Sequence, residues 1–167
     1  MEALGTLIVT GASRGIGAAI TSLAAARGYA VAVNYSSDEA GAAGVVKRIS
    51  DAGGKAIAIR GDVAKEDDAV HLFEAAEREL GPISGLVNNA GVTGRLSRVE
   101  DMDAGDLARV LAINVAGSML CAREAVRRMS TKRGGKGGAI VNISSRAART
   151  GAPRRLRPLR GQQRRHR

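Results

Sequence analysis

Three glycines form a short loop between two segments of different hydrophobic pattern. Gly11, Gly15 and Gly17 follow an apolar run at residues 6–10 and open a segment of helical periodicity. Glycine permits a sharp turn and leaves no Cβ between the backbone and a bound phosphate. The start of the following helix adds free N–H groups and the positive end of its dipole. Because a strand-like run precedes the loop and a helix-like segment follows it, the loop predicts a nucleotide-phosphate site.

The rest of the chain alternates short apolar runs with longer segments of helical periodicity. Such runs are typical of buried parallel strands, and the alternation indicates βαβ units. We therefore expect a doubly wound, Rossmann-like α/β fold with about five strands. The predicted strands are residues 6–10, 30–35, 55–60, 83–88 and 137–144. The predicted helices are one from Ile16 that ends at Gly28, residues 38–50, one with Val70, Phe73, Ala76 and Leu80 on one face, and residues 103–129 with Leu107, Leu111 and Val115 on one face.

Together with Thr10, the spacing Gly-x-x-x-Gly-x-Gly resembles the short-chain dehydrogenase/reductase family. Four more motifs follow in the family's order: Asp62-Val63, Asn-Asn-Ala-Gly at 88–91, Asn114, and Asn-Ile-Ser-Ser at 142–145. Each motif alone is weakly specific, but five in this order are very specific. The resemblance covers about residues 5–153.

The resemblance implies a nicotinamide dinucleotide cofactor, a carbonyl or secondary alcohol substrate, and no metal. It implies that Ser145 is catalytic and hydrogen-bonds the substrate oxygen, and that Asn114 positions a proton-relay water. The implied cofactor-binding residues are Thr10, Gly11, Ser13, Arg14, Gly15, Ile16, Gly17, Asn34, Ser36, Asp62, Val63, Asn89, Ala90 and Gly91. The family includes 3-oxoacyl carrier-protein reductases and sugar dehydrogenases, so the substrate stays open.

The segment after the second predicted strand favours one form of the cofactor. NAD sites commonly have an acidic residue at this strand end, bonded to the ribose 2′-hydroxyl. Here no acid occurs until Asp38, and Arg14 in the glycine loop could meet a 2′-phosphate. We therefore expect NADP(H), with NAD(H) as the alternative.

One part of the family's catalytic set has no counterpart in the sequence. The family uses a tyrosine for proton transfer, and a lysine four residues later lowers its pKa. At those places the chain has Pro158 and Leu159, then Gln162 and Gln163, and no tyrosine follows Tyr35. The chain as written is therefore expected to lack dehydrogenase activity. Without the tyrosine helix, we also expect the fifth strand to be an exposed apolar edge.

The last residues differ from the rest in charge. The chain has 26 Lys and Arg against 16 Asp and Glu, and seven of these arginines lie within residues 153–167, which contain no acid. Read one base later, codons for residues 154–166 can encode GDYVHYAASKGAI, with tyrosine at the place of Leu159 and lysine at that of Gln163. We interpret residues 1–152 as the NAD(P)-binding domain and residues 153–167 as an out-of-frame tail of a truncated chain. A basic arm for nucleic acid, or a nucleotide-binding module without catalysis, are the alternatives.

The remaining composition narrows the class of protein. One cysteine, Cys121, excludes a disulfide framework and a cysteine-based zinc site, and a small core residue is its expected role. No run approaches 18 apolar residues and no signal peptide is visible, so we expect a cytoplasmic protein without a membrane partner. The family assembles through its long helix and its tyrosine helix, so a homo-oligomer is expected of the parent enzyme and is doubtful for this chain.

Overall fold

A computed structural model describes residues 4–146 as a parallel sheet between two helical layers. The strands are β1 (Thr6–Val9), β2 (Ala30–Tyr35), β3 (Ala56–Arg60), β4 (Ile83–Asn88) and β5 (Ala139–Asn142). The helices are α1 (Gly15–Ala26), α2 (Glu39–Asp51), α3 (Glu66–Leu80), α4 (Ala104–Leu111) and α5 (Ser118–Met129). The predicted fold class and all five strands are confirmed. The tail at 153–167 and its alternative reading lie outside the described residues.

The strand order β3-β2-β1-β4-β5 places a change of direction between β1 and β4. From β1 the chain winds outward through β2 and β3, and then returns to add β4 and β5 on the other side. In open parallel sheets, ligands bind outside the carboxyl ends of the strands at such a switch point. The glycine loop follows β1, and the Asn-Asn-Ala-Gly segment follows β4, so the topology brings both to this point.

Two apolar clusters hold the helices on the sheet. One lies under α1 and α2 and includes Val9, Val33 and Val45, and the other lies under α3 and α5 and includes Ile8 and Phe73. All six residues of β2 are buried, since the strand is covered on both faces. A continuous apolar run is what such a strand requires.

Local chemistry sets several helix ends. The Asp38 carboxylate accepts a hydrogen bond from the N–H of Gly41 at 3.0 Å and so caps α2. Three acids, Glu66, Asp67 and Asp68, occupy the first turn of α3, where the helix dipole favours negative charge. The helix ends at Leu80 and is followed by Gly81, whose φ of 95° a residue with a side chain rarely adopts.

The predicted helix at 103–129 requires a correction. The chain is helical from Ala104 to Met129, but residues 112–117 form a π segment between α4 and α5. The extra residue per turn rotates the two halves relative to each other. Leu107, Leu111 and Val115, which the sequence places on one face, are about half exposed among the described residues. This apolar face is therefore not buried against the sheet.

This helix also bears on the expectation of no membrane segment. By length and composition alone it could cross a membrane, with a mean hydropathy of 1.3 over 18 residues, of which 11% are buried. Core helices of water-soluble proteins meet the same criterion, and α5 packs into the sheet domain through Cys121, Ala125 and Met129. One helix of this kind is weak evidence for a membrane span, so the expectation that the chain has none stays a prediction.

The expected exposure of the fifth strand is observed among residues 4–146. β5 pairs with β4 on one side, and three of its four residues are exposed. Its face on the α1 side borders an apolar groove. The groove includes Ile20, Leu23, Val87, Ala139 and Val141.

Candidate functional site

The glycine loop is tied to the end of β4 by one buried hydroxyl and one amide. Thr10 Oγ accepts hydrogen bonds from the N–H groups of Asn89 and Ala90, both at 3.0 Å. Asn89 Nδ2 donates to the carbonyl oxygens of Thr10 at 2.9 Å and Gly11 at 3.0 Å. Thr10 and Asn89 therefore fix the two sides of the switch point relative to each other.

Two glycines of the loop are required by close approach. A Cβ on Gly17 would lie 2.6 Å from Asn89 Nδ2 and 2.8 Å from the Gly11 carbonyl oxygen. A Cβ on Gly11 would lie 2.9 Å from Ala90 Cα, and its φ of 60° is left-handed. These positions need glycine because the backbone of the loop packs directly against the end of β4.

Asn34 ties the loop to the other side of the sheet. Its Oδ1 accepts from the N–H of Gly11 at 3.2 Å, and its Nδ2 donates to the carbonyls of Ile59 at 3.3 Å and Gly61 at 3.0 Å. Asn34 borders the cavity, but its amide is committed to the protein. Its role in the structure is to position the loop.

A cavity of about 390 Å³ opens above the carboxyl ends of β1–β4. Ligand pockets commonly have this size or more. Twelve of the fourteen predicted cofactor-binding residues border it, and Thr10 and Gly17 support it without bordering it. Seven residues that the sequence motifs did not indicate as cofactor-binding also border the cavity: Tyr35, Ser37, Asp38, Gly61, Val92, Arg109 and Ile113.

The two predicted catalytic residues do not border this cavity. The Asn114 side chain accepts from the N–H of Val92 at 2.9 Å and donates to the Val92 carbonyl at 2.7 Å. Both halves of its amide are therefore engaged in holding the loop after β4. Ser145 is exposed and lies just beyond the end of β5.

Asp62 lies two residues after the end of β3, and a side chain of α3 holds its backbone. Its N–H donates to Asp68 Oδ2 at 2.8 Å, and its own Oδ1 accepts from the N–H of Ala64 at 3.1 Å. Val63 beside it is buried and lies close to the π segment. The backbone approach is so close that a Cβ on Gly117 would lie 2.8 Å from Val63 Cγ2. This close approach brings the helix with Arg109 and Ile113 to the cavity.

A charged cluster lies within α5, around Glu124. The buried Glu124 carboxylate pairs with Arg123 at 3.0 Å, Arg127 at 2.9 Å and Arg128 at 2.8 Å. Burial by itself raises the pKa of Glu124, but hydrogen bonds from Arg128 and Arg123 and the charge of Arg127 outweigh it and hold the pKa below its usual value. Burial, together with Glu124, raises the pKa of the nearby Cys121 to about 12. That thiol stays protonated and acts as a small core residue.

Comparison with known proteins agrees with this arrangement. The family model for short chain dehydrogenase matches residues 5–156. The chain is 48% identical over 146 residues to the uncharacterized oxidoreductase YgfF of Escherichia coli, covering 87% of this chain and 59% of that protein. It is 40% identical to a 3-oxoacyl-[acyl-carrier-protein] reductase of a Synechocystis species, covering 87% of this chain and 58% of that protein.

A solved short-chain dehydrogenase/reductase from Serratia marcescens superposes with a TM-score of 0.81 at 37% identity. The match covers 87% of this chain and 57% of that structure. The chain thus spans a little over half the length of these relatives. The extent of the family match and the likeness of the fold show that the chain belongs to the short chain dehydrogenase family.

Proposed function

We propose that residues 1–152 form the NAD(P)-binding domain of an oxidoreductase that acts on a carbonyl or secondary alcohol, and that the chain binds NADP(H) without turnover. The observation that carries the proposal is the cavity at the switch point, bordered by the glycine loop. When bound, a nicotinamide cofactor would donate or accept a hydride. The residues of the chain would bind and orient it.

The cavity fits a dinucleotide by its backbone shape. The glycine loop offers bare backbone to the cavity at Gly15, where an added Cβ would meet no atom within 4 Å, while Gly11 and Gly17 let the loop pack closely against neighbouring protein atoms. Helix α1 begins at Gly15, so its free N–H groups face the same end of the sheet. These groups would hold the pyrophosphate, as helix starts do for anions.

The preference for NADP(H) rests on two charged residues that border the cavity. Asp38, the first acid after β2, has one carboxylate oxygen engaged as the α2 cap. The Arg14 guanidinium has no ion pair or hydrogen bond among residues 4–146. Arg14 would pair with a 2′-phosphate, with Ser36 and Ser37 as hydrogen-bond donors beside it.

Catalysis would need residues on both sides of β4. Ser145 would hydrogen-bond the substrate oxygen. Asn114 would hold the loop after β4 through Val92, and the second lone pair of its amide oxygen would remain for the relay water. Neither can supply a proton near neutral pH, because neither carries a group with a suitable pKa. We therefore expect no turnover from the chain as written.

The interpretation of residues 153–167 as an out-of-frame tail is part of the same proposal. If the DNA at codons 153–154 contains one base too many, its removal would place tyrosine and lysine at positions 159 and 163. Sequencing this region and its downstream frame decides the point. A downstream frame that stops within a few codons would refute it. The tail would then be tested as a nucleic-acid arm through the salt dependence of binding.

We propose that α4 and α5 would form an interface with a second copy in the complete enzyme, which we place in the cytoplasm. Their outer surface carries exposed apolar side chains, with Met119 exposed by 69%. Single exposed apolar residues are ordinary, but this series continues along the helix. Met119→Lys in the frame-corrected protein should shift it toward the monomer in sedimentation velocity. An unchanged oligomer would place the interface elsewhere.

The experiment that tests the proposal is a fluorescence titration of the folded 167-residue chain with NADPH and with NADH. We expect saturable binding of NADPH, weaker binding of NADH, and no oxidation of NADPH with carbonyl substrates. Arg14→Leu should reduce the preference for NADPH by about tenfold. Arg60→Leu, an exposed arginine that does not border the cavity, is the matched control. Turnover that Ser145→Ala abolishes would contradict the proposal.

A further inference from the structure

The cavity is bordered by a second arginine that none of the sequence motifs contains. Arg109 lies in α4, one turn before Ile113, and both residues border the cavity. The Arg109 side chain is exposed, and its guanidinium makes no ion pair or hydrogen bond within residues 4–146. The nearest carboxylate in its own helix, Asp106, accepts instead from the N–H of Arg95. Arg109 is therefore available to a ligand.

Arg109 and Arg14 belong to opposite walls of the cavity. Arg14 precedes α1, which packs with α2 on one face of the sheet. Arg109 belongs to the helix that continues into α5, and α5 packs with α3 on the other face. A ligand that fills the cavity would therefore meet a cation from each side.

The two walls differ in chemistry. The Arg14 wall is polar, with the glycine-loop backbone, Ser13 and Ser36. The Arg109 wall presents the apolar side chains of Val63, Ala90 and Ile113, with the Asp62 carboxylate at its edge. Phosphate groups suit the polar wall, because it offers N–H and hydroxyl donors. A flat heterocycle with an amino group suits the apolar wall.

We propose that Arg109 is an additional cofactor-binding residue that packs its guanidinium over the adenine base. A planar guanidinium stacks on aromatic rings, and the i, i+4 spacing places it beside Ile113, which would contact the same base. Asp62 would accept from the amino group at the edge of the base. This inference rests on the proposed nucleotide binding and adds a contact that the sequence motifs do not contain.

The test compares Arg109→Leu with the unmodified chain. Arg98→Leu is the matched control, since Arg98 is an exposed arginine that pairs with Glu100 and does not border the cavity. NADPH is titrated at low and high salt, and adenosine, which has no phosphate, is used as a competitor. We expect Arg109→Leu to lower the affinity for NADPH about two- to fivefold at both salt concentrations. The affinity for adenosine should fall by the same factor, and Arg98→Leu should change neither affinity.

Three results would overturn the inference. Equal NADPH affinity of Arg109→Leu and the unmodified chain would show that Arg109 makes no contact. A loss confined to low salt, with adenosine unaffected, would assign Arg109 to a phosphate, because exposed ion pairs are screened by salt. A folded, unmodified chain that binds no NADPH would overturn the proposed function together with this inference.

Discussion

Strands β2 and β5 have similar apolar sequences and very different surroundings. All six residues of β2 are buried between two helical layers, whereas three of the four residues of β5 are exposed. The residues that would hold the cofactor follow β1–β4, and Ser145 follows β5. The proposed nucleotide half of the site is therefore built on a packed core, while among the described residues the proposed substrate half stands on an open edge.

The largest expected effect is on the glycine loop, which lies beside the buried strands. Gly17→Ala should lower the free energy of unfolding by about 3 kcal/mol, because its Cβ would force backbone of the glycine loop to move. Thermal or urea unfolding measures this. Gly44→Ala is the control, since the nearest atom to its added Cβ is an arginine tip at 3.6 Å. It should stabilise α2 by about 0.5–1 kcal/mol. Equal stabilities of the two variants would mean that the loop is not tightly packed.

Thr10→Val should follow with a loss of about 2 kcal/mol. The change keeps the shape but removes the acceptor of the Asn89 and Ala90 N–H groups, leaving two amides without their partner. Thr21→Val is the control, because that buried hydroxyl donates to a carbonyl of its own helix. Denaturant unfolding should show a smaller loss for the control. A larger loss for Thr21→Val would contradict the role given to Thr10.

The Glu124 cluster tests how far charge pairs within α5 stabilise the helix that packs beside β4 and β5. Glu124→Gln should cost about 1–2 kcal/mol at pH 7. Because pairing holds the folded pKa of Glu124 below that of the unfolded chain, this stability is fully present above about pH 4.3. It is lost as the pH falls through the folded pKa, so the two proteins should converge in acid. A pH-independent difference would show that packing, not charge, is responsible. Glu79→Gln, in an exposed pair, should change little.

The smallest effect is expected on β5 itself. Val141→Thr should change stability by less than about 0.5 kcal/mol, because that side chain is 49% exposed. The same substitution at Val33, which is fully buried, should cost about 1–3 kcal/mol for the unpaired hydroxyl. Chemical unfolding of both variants measures the two losses of stability. Similar losses would mean that β5 is covered in solution.

The sequence predicted the strands well because parallel strands between two layers read as unbroken apolar runs. It also located most of the cavity, since glycine spacing and polar residues at strand ends have local causes. It did not reveal that Asn34 uses its amide on the protein, because a polar residue at a strand end can bond to a ligand or to a loop. The sequence did not indicate Arg109 for another reason. Its position at the border of the cavity depends on the close approach of Gly117 to Val63, which is a tertiary contact.

The same limit applies to the helix at 103–129. Apolar spacing indicates a helix, but it does not indicate which face another element covers. The π segment contains no proline, and its one glycine, Gly117, is its last residue, so the sequence does not mark where the segment begins. Leu107 and Val115 are thus apolar and yet exposed among the described residues.

The most direct test of the account is calorimetric titration of the folded chain with NADPH, in parallel with Gly17→Ala. We expect one saturable site per chain, with an affinity at least tenfold lower in the variant once both proteins are shown to be folded by circular dichroism. Binding of equal strength in both proteins, or no binding by the folded unmodified chain, would contradict the claim that the described residues hold a complete nucleotide site.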